Sequence, residues 1–396
     1  MLIRSPGCGH VHRPISCQAG GRVRDSLPRV EVQRLAIVGT GLIGASVALA
    51  AKRAGPAQVV GYDPEPHALD AAVERGAVDR SASSVAEAVE DAELAVVAAP
   101  VAQLAGQVRA VLDASPDSCT VTDVGSTKVA VSAAALGSGR FVGGHPVCGS
   151  EARGAEHASA ELFEGATWFL TPLAATEPER YRLVHGFVSG LGATPVAVDP
   201  IAHDRLVALT SHLPHVLANL LVNQAGASRI DGHEPLAAAG GSLRDMTRVA
   251  GANPRIWVDI FLDNAGPVRE SLGEHRKQLD RLEQALEDGD AGFLAKWIGE
   301  AAGNRQRMLA DAYPDPGALH QLRVHVPDRP GVLAGITQAL GAERINIEDF
   351  ELLHMSPDRG GTLTVLVTGE SEARRAGALL EAQGYGVVVT PVLEKQ

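Results

Sequence analysis

His145 and Ser126 are the residues whose types and positions most directly suggest acid–base chemistry. Each follows an apolar run that reads as a buried strand: Thr120-Val-Thr-Asp123 before Ser126, and Arg140-Phe-Val-Gly-Gly before His145-Pro146. A neutral imidazole can accept the proton of a substrate hydroxyl while a hydride leaves the adjoining carbon. A histidine before proline can also be a mere turn residue, and spacing alone leaves the two readings equal. Further along, His212 and His215 are three apart in Ser211-His212-Leu-Pro214-His215, so a helix puts them on one face. No carboxylate or cysteine is placed to complete a metal site with them, and they read as polar lining of a cleft. Arg244 and Arg248 are four apart and share a face in the same way. A guanidinium meets a carboxylate fork to fork, so one of them is a candidate clamp for an anionic substrate. The alternative is a solvated charged face, with Asp245 pairing either arginine. Trp257 either walls the same pocket or anchors a core.

A frame must bring these side chains together, and the first strand supplies its signature. Arg34-Leu-Ala-Ile-Val38 is followed by Gly39-Thr40-Gly41-Leu42-Ile43-Gly44 and a small-residue helix over 45–54. Strand, G-x-G-x-x-G and helix, in that order, form the setting of a dinucleotide-binding loop. Gly39 permits the tight turn, Gly41 lets backbone approach a pyrophosphate, and Gly44 lets helix pack on strand, with Thr40, Leu42 and Ile43 completing the loop. The helix N-terminus presents its N–H groups to the phosphates. Gln58-Val-Val-Gly-Tyr62 reads as the second strand, and Asp63 closes it at the position of the ribose-binding carboxylate. That carboxylate repels a 2′-phosphate, and no Arg or Lys adjoins Pro64 to hold one, so NAD is the expected cofactor rather than NADP. Pro100, closing the run Leu94-Ala-Val-Val-Ala-Ala-Pro100, and Ser126 stand at the same carboxyl edge and join the expected cofactor contacts.

At 396 residues the chain is long enough for two or three domains. A net charge of −12 argues against a nucleic-acid partner and against an anionic membrane surface. No apolar run is read as a membrane span. Cys8, Cys17, Cys119 and Cys148 are scattered, which fits a reducing, cytoplasmic setting rather than a disulfide framework. Residues 1–33 carry Cys8-Gly-His10-Val-His12 and Cys17 at a spacing that matches no zinc pattern, so no metal is expected and the segment reads as a disordered extension.

Residues 34–198 alternate strand and helix, which argues an α/β fold with a Rossmann-type doubly wound parallel sheet. Residues 199–313 read as an all-helical domain, with helices over 201–227, 234–249, 255–288 and 291–312 and no strand signal. Its many Ala and Leu positions suggest packing against a partner, and by analogy with dehydrogenases of this build a homodimer is expected. Tyr313-Pro-Asp-Pro-Gly317 reads as a linker. Residues 319–394 then follow a β-α-β-β-α-β order, the ferredoxin-like α+β pattern, and show nothing catalytic. That module reads as a ligand sensor.

Taken together, these blocks resemble the prephenate/arogenate dehydrogenase family of tyrosine biosynthesis. The resemblance covers about 34–313: Gly-Thr-Gly-Leu-Ile-Gly-Ala-Ser at 39–46, Asp-Val-Gly-Ser-Thr-Lys at 123–128 and Gly-His-Pro-Val-Cys-Gly-Ser-Glu at 144–151. Ser-His-Leu-Pro-His at 211–215, Arg-Asp-Met-Thr-Arg at 244–248 and Asn-Pro-Arg-Ile-Trp at 253–257 continue it. The C-terminal Asp328-Arg-Pro-Gly331-Val-Leu and Ile345-Asn346-Ile347 resemble an ACT domain, an amino-acid-binding module. The resemblance implies NAD-dependent oxidative decarboxylation of a cyclohexadienyl acid, with His145 taking the hydroxyl proton and Ser126 contacting hydroxyl and nicotinamide. It further implies that Arg248 holds a substrate carboxylate and that His212, His215 and Trp257 line the pocket. Cys148 receives no role. Tyrosine is the expected effector, bound near Gly331 and Asn346. Prephenate and arogenate stay open as substrates, with Glu151 and Asp245 as candidate discriminators.

No chorismate-mutase-like segment is seen, so a monofunctional enzyme is expected. A β-hydroxyacid dehydrogenase would need an Asn-x-x-x-Lys pair, whereas Asn219 and Asn223 are followed four residues on by Asn223 and Ala227. A phosphoglycerate dehydrogenase, which also carries an ACT domain, places its nucleotide motif mid-chain. A non-catalytic NAD- and amino-acid-binding regulator is disfavoured by the joint presence of Ser126, His145 and Arg248.

Overall fold

Short runs, apolar and buried on both faces in the central strands, build one eight-stranded sheet over the first 198 residues. A computed structural model describes residues 30–148, 152–312, 315, 318–356 and 360–392. The Cys8, His10, His12 and Cys17 cluster, Glu151 and, Asp315 apart, the 313–317 linker lie outside the described residues. The chain divides between His275 and Arg276 into two compact units.

In the first unit the elements are β1 (Arg34–Val38), α1 (Leu42–Ala54), β2 (Gln58–Tyr62), α2 (Pro66–Glu74), β3 (Arg80–Ser81), α3 (Val85–Val89) and β4 (Leu94–Val97). They continue with α4 (Val101–Ala114), β5 (Thr120–Asp123), α5 (Val129–Ala134), β6 (Phe141–Pro146), β7 (Thr167–Pro172), α6 (Pro178–Gly190) and β8 (Thr194–Ala197). The strand order is β3-β2-β1-β4-β5-β6-β7-β8. Strands β1 to β6 run parallel, so their carboxyl ends share one edge. β7 pairs with β6 antiparallel, and β8 follows β7 in parallel, so the last two strands depart from the all-parallel expectation. The physical reason is the β6–β7 connection. Among its described residues the only helix is the short turn Ala155–His157, whereas a parallel return is usually carried by an α-helix packed across the sheet. Leu35, Ile37 and Trp168 fill the core on one face of the sheet, and Val97, Leu104 and Phe141 that on the other.

Asp199 accepts from the backbone of Ile201 and Ala202 and starts α7 (Pro200–Val207). The chain then passes through a wide turn, Ala208–His212, into α8 (Leu213–Ala227). Taken as one helix, Pro200–Ala227 is 28 residues, and its most apolar 18-residue window has mean hydropathy 1.2, long and apolar enough by length and composition alone to cross a membrane, a stretch the sequence reading did not single out. His203, Asp204 and His212 lie buried on it, so one face of this helix carries polar groups into the unit.

The expected helix over 234–249 is broken into the turn Pro235–Ala238, α9 (Gly241–Thr247) and the turn Arg248–Gly251. Gly240-Gly241 interrupts it, each glycine costing about 1 kcal/mol relative to alanine in a helix interior. The expected single helix over 255–288 is α10 (Pro254–Asp263) and α11 (Ala265–Asp288), hinged at Asn264. Pro267 has no N–H and would clash with the carbonyl four residues back, whereas the first turn of a new helix accepts it. α12 (Ala291–Ala312) falls as expected.

The second unit carries β9 (Leu319–Val326), α13 (Val332–Ala342), β10 (Asp349–Ser356), β11 (Gly360–Thr368), α14 (Glu370–Ala382) and β12 (Gly386–Pro391). Its antiparallel sheet has the order β10-β11-β9-β12. Leu322, Val324, Leu363 and Val365 alternate inward along the strands and pack with Ile336 and Leu340 of α13 and Leu380 of α14.

Candidate active site

The loop after β1 is shaped by its glycines. Gly39 has φ +98°, and a Cβ there would stand 2.5 Å from the Ala98 carbonyl oxygen. A Cβ on Gly44 would collide with the Gly39 carbonyl, which is why α1 can pack so closely on the loop. Gly41 faces open space and precedes α1 without a side-chain cap, so the first-turn N–H groups are left for an anion. Asp63 closes β2 and accepts from the Thr40 backbone at 2.7 Å and from Glu65 at 2.9 Å. Two carboxylate oxygens have about four acceptor positions, so Asp63 retains capacity for ribose hydroxyls. Leu42 and Ile43 are partly buried in the first turn of α1, and Pro100 is the exposed cap of α4. The loop, the open helix end and the carboxylate fit a dinucleotide.

At the ends of β5 and β6 the sheet carries an ion pair that the sequence reading passed over. Lys128 is wholly buried; its Nζ pairs with Asp123 Oδ2 and donates to the Gly144 carbonyl at 2.7 Å. Asp123 also accepts from the backbones of Gly125 and Gly144, at 2.8 and 3.1 Å. This clamp ties the Ser126 loop to β6 one residue before His145. Ser126 lies half-buried in that loop. His145 is not beyond its strand as expected. It sits within β6 opposite Phe169 of β7, because β7 extends the pairing past the last parallel contact.

From the helical side, His203 Nε2 lies 2.8 Å from His145 Nδ1, and His203 Nδ1 lies 2.8 Å from Asp204 Oδ1. Asp204 is buried and also accepts from the backbones of Lys128 and Val129, at 2.7 and 2.9 Å. Burial, reinforced by the charge His203 would carry if protonated, by Lys128 and by His212 in the same way, holds His145 well below the usual histidine pKa, so its ring is neutral near pH 7. Burial also lowers the Lys128 ammonium, with Asp123 opposing it.

The wide turn places the next histidine. Leu213 donates its N–H to the Ala208 carbonyl five residues back, the mark of a π-bulge. Nine residues of regular helix are about 2.5 turns and would set His203 and His212 on opposite sides. The bulge absorbs one residue, and both side chains are buried on the inner face. Asn264 Nδ2 joins them, donating to the Asp204 carbonyl at 2.8 Å and lying 3.1 Å from His212 Nδ1. Burial pushes His212 down to about 4. His215 stacks on Trp257 with ring centroids 3.5 Å apart, and Trp257 meets the His212 ring edge-on. His215 donates from Nδ1 to the Ser211 carbonyl at 3.0 Å. Its pKa is lowered by burial, and the nearby Arg248 guanidinium adds to this.

His145, His212, His215, Trp257 and Arg248 are thus brought into one neighbourhood, while Arg244 and Asp245 are exposed and form no ion pair with each other or with Arg248 among the described residues. Cys148 packs against the sheet core, and burial raises its thiol to about 11, which leaves it unreactive. Asp123, Lys128, His203, Asp204 and Asn264 were missed. Asp123 and Lys128 open and close the Asp-Val-Gly-Ser-Thr-Lys block at 123–128. His203 and Asp204 were signalled only by polar residues on the otherwise apolar inner stripe of α7.

A Rossmann sheet whose nucleotide loop and neutral histidine share one edge, closed by a helical segment bearing more histidines and an arginine, defines an α/β dehydrogenase. Residues 47–197 match the nucleotide-binding domain of prephenate dehydrogenase, 199–300 its dimerization domain and 320–384 an ACT domain. The prephenate dehydrogenase of Bacillus subtilis (strain 168) is 33% identical over 88% of this chain and 95% of its own. The crystal structure of A. aeolicus prephenate dehydrogenase with hydroxyphenyl propionate and NAD+ is 28% identical, with TM-score 0.66 over 71% of this chain and 100% of that one. Synechocystis arogenate dehydrogenase gives 28% identity and TM-score 0.63 over 70% and 100%. The chain belongs to the prephenate dehydrogenase family.

Proposed function

We propose that this protein oxidises and decarboxylates prephenate with NAD+, giving 4-hydroxyphenylpyruvate, and that His145 is the general base. The observation that carries the reading is the neutral His145 ring at the nucleotide edge of the sheet, facing the histidines of the helical segment. Bound NAD+ supplies the hydride acceptor. Gly39 to Gly44 and Asp63 hold the dinucleotide, and Pro100 and Ser126 border it. The hydroxyl proton passes to His145 as the carbinol C–H is lost as hydride. The C–CO2 bond then breaks, its electron pair aromatises the ring, and the proton returns to the new phenol oxygen. Arg248 pairs with a substrate carboxylate, Ser126 orients the hydroxyl, and His212, His215 and Trp257 wall the ring.

NADH formation from NAD+ with prephenate and arogenate offered in parallel tests this reading. Signal with prephenate supports it, and signal with arogenate alone assigns the second reading, supported by the Synechocystis relative. Silence with both, in protein that binds NAD+, overturns it in favour of a regulator.

In the same reading the functional division is 34–198 for the nucleotide, 199–313 for substrate and homodimer contact, and 319–394 for regulation, in a cytoplasmic enzyme. Tyrosine binds near Gly331, which has φ +89° at the start of α13, and the exposed Asn346. An apolar recess lined by Leu333, Thr337, Ile347 and Phe350 adjoins them and suits an aromatic ring. Unchanged activity and no binding across millimolar tyrosine would contradict the effector assignment.

A further inference from the structure

The partners of His203 fix where its protons sit. Backbone N–H groups can only donate, so Asp204, accepting from Lys128 and Val129, faces its neighbours as a carboxylate that accepts on both oxygens. His203 Nδ1, 2.8 Å from Asp204 Oδ1, therefore carries a proton. In a neutral His203 ring this leaves a lone pair on Nε2, so His145 Nδ1, 2.8 Å away, must donate to it. The free lone pair of a neutral His145 is then on Nε2.

A second chain ends on the opposite polarity. A backbone carbonyl can only accept, so Asn264 turns its NH2 toward the Asp204 carbonyl and, with the same nitrogen, toward His212 Nδ1. His212 Nδ1 accepts, and its proton is on Nε2. His203 and Asp204 are wholly or almost wholly buried, at 0% and 2% exposure, so neither is placed to touch a substrate.

We infer that His203 and Asp204 are positioning residues that hold His145 in the tautomer with Nε2 free to accept the substrate's proton, while Asn264 holds His212 in the tautomer that donates from Nε2. The inference rests on His145 being the base. Two residues from α7 and the hinge between α10 and α11 thereby give two neighbouring imidazoles opposite roles, one acceptor and one donor. The groups facing His145 are Lys128 from the β5 loop, His203 from α7, His212 from the wide turn and Phe169 from β7. None of the others offers His145 Nδ1 an alternative acceptor.

The test compares His203→Leu, which removes the acceptor, with His203→Gln, whose side-chain oxygen can stand near the Nε2 position. His203→Leu lowers kcat about a hundredfold, within the range for loss of a working base, with KM for prephenate and NAD+ affinity little changed. His203→Gln recovers most of the loss. Nitrogen-15 NMR of the imidazoles in wild-type protein with NAD+ shows His145 protonated on Nδ1 and bare on Nε2. A wild-type spectrum with the His145 proton on Nε2 overturns the inference whether or not either variant folds. Wild-type kcat in His203→Leu, alongside an inactive His145→Asn, overturns it while leaving His145 as base. Normal turnover in His145→Asn instead removes the base assignment beneath it.

Discussion

Buried polarity is divided unevenly between the two units. Among the described residues every buried polar or charged side chain, from Thr40 to Asn264, lies in the first unit, whereas the core built on β9 to β12 is apolar throughout. A buried charge is tolerated only when paired and hydrogen-bonded, because desolvation otherwise outweighs what the fold gains. Asp123, Lys128, His203 and Asp204 meet that condition by partnering one another and the backbone around them. The contrast separates two uses of a core. In the first unit part of the interior is given over to holding proton-transfer groups in fixed orientation; in the second the interior only supports a surface. The recess lined by Leu333, Thr337, Ile347 and Phe350 likewise carries no charged side chain among the described residues.

Breaking the buried pair is the strongest challenge to this contrast. Lys128→Met leaves the Asp123 carboxylate buried and uncompensated, and denaturant unfolding is expected to show a loss of about 3–5 kcal/mol. A loss below about 1 kcal/mol would mean that the pair is not what holds β5 to β6. Arg248→Gln tests the exposed rim instead. Removing a charge-assisted bond of about 1.5–3 kcal/mol raises KM for the substrate roughly ten- to a hundredfold with little change in melting temperature. An unchanged KM would take Arg248 out of the site.

The pH dependence of stability follows from the buried histidines: His145 and His215 are lowered, and so is His212. Its folded pKa of about 4 lies below the reference 6.5, so the unfolded chain binds the extra proton first. Stability is therefore undiminished above pH 6.5 and falls as the pH drops from 6.5 toward 4. His212→Gln should flatten that slope in thermal melts taken across the window, and an unaltered slope would assign it to other groups. The smallest effect belongs to the second unit, where Ile336→Val should cost about 0.5–1.5 kcal/mol and leave NADH production as it was.

Much of the frame was legible because its cues are local. The strand–glycine–helix order around Gly39 to Gly44, the closing Asp63 and the β-α-β-β-α-β alternation near the C-terminus each lie within a few residues of one another. The reversed direction of β7 was not legible, since it depends on the connection that follows β6 rather than on the strand's own composition. The helix breaks at Gly240-Gly241 and before Pro267 were written in the sequence but outweighed in the reading by long Ala- and Leu-rich stretches. His145, His212, His215, Arg248 and Trp257 were found from motif and spacing. His203, Asp204 and Asn264 were not, because their roles arise only when α7, the π-bulge and the α10–α11 hinge fold together. Helical spacing would have set His203 and His212 apart; the bulge is what reconciles them.

The central claim is that the polar interior of the first unit exists to make His145 a base. Single-turnover hydride transfer in His145→Asn, with NAD+ binding measured separately on the same protein, tests it most directly. The account predicts NAD+ affinity close to wild type and transfer from prephenate slowed by about 10² to 10⁴. Transfer at a near-normal rate in that variant would contradict it.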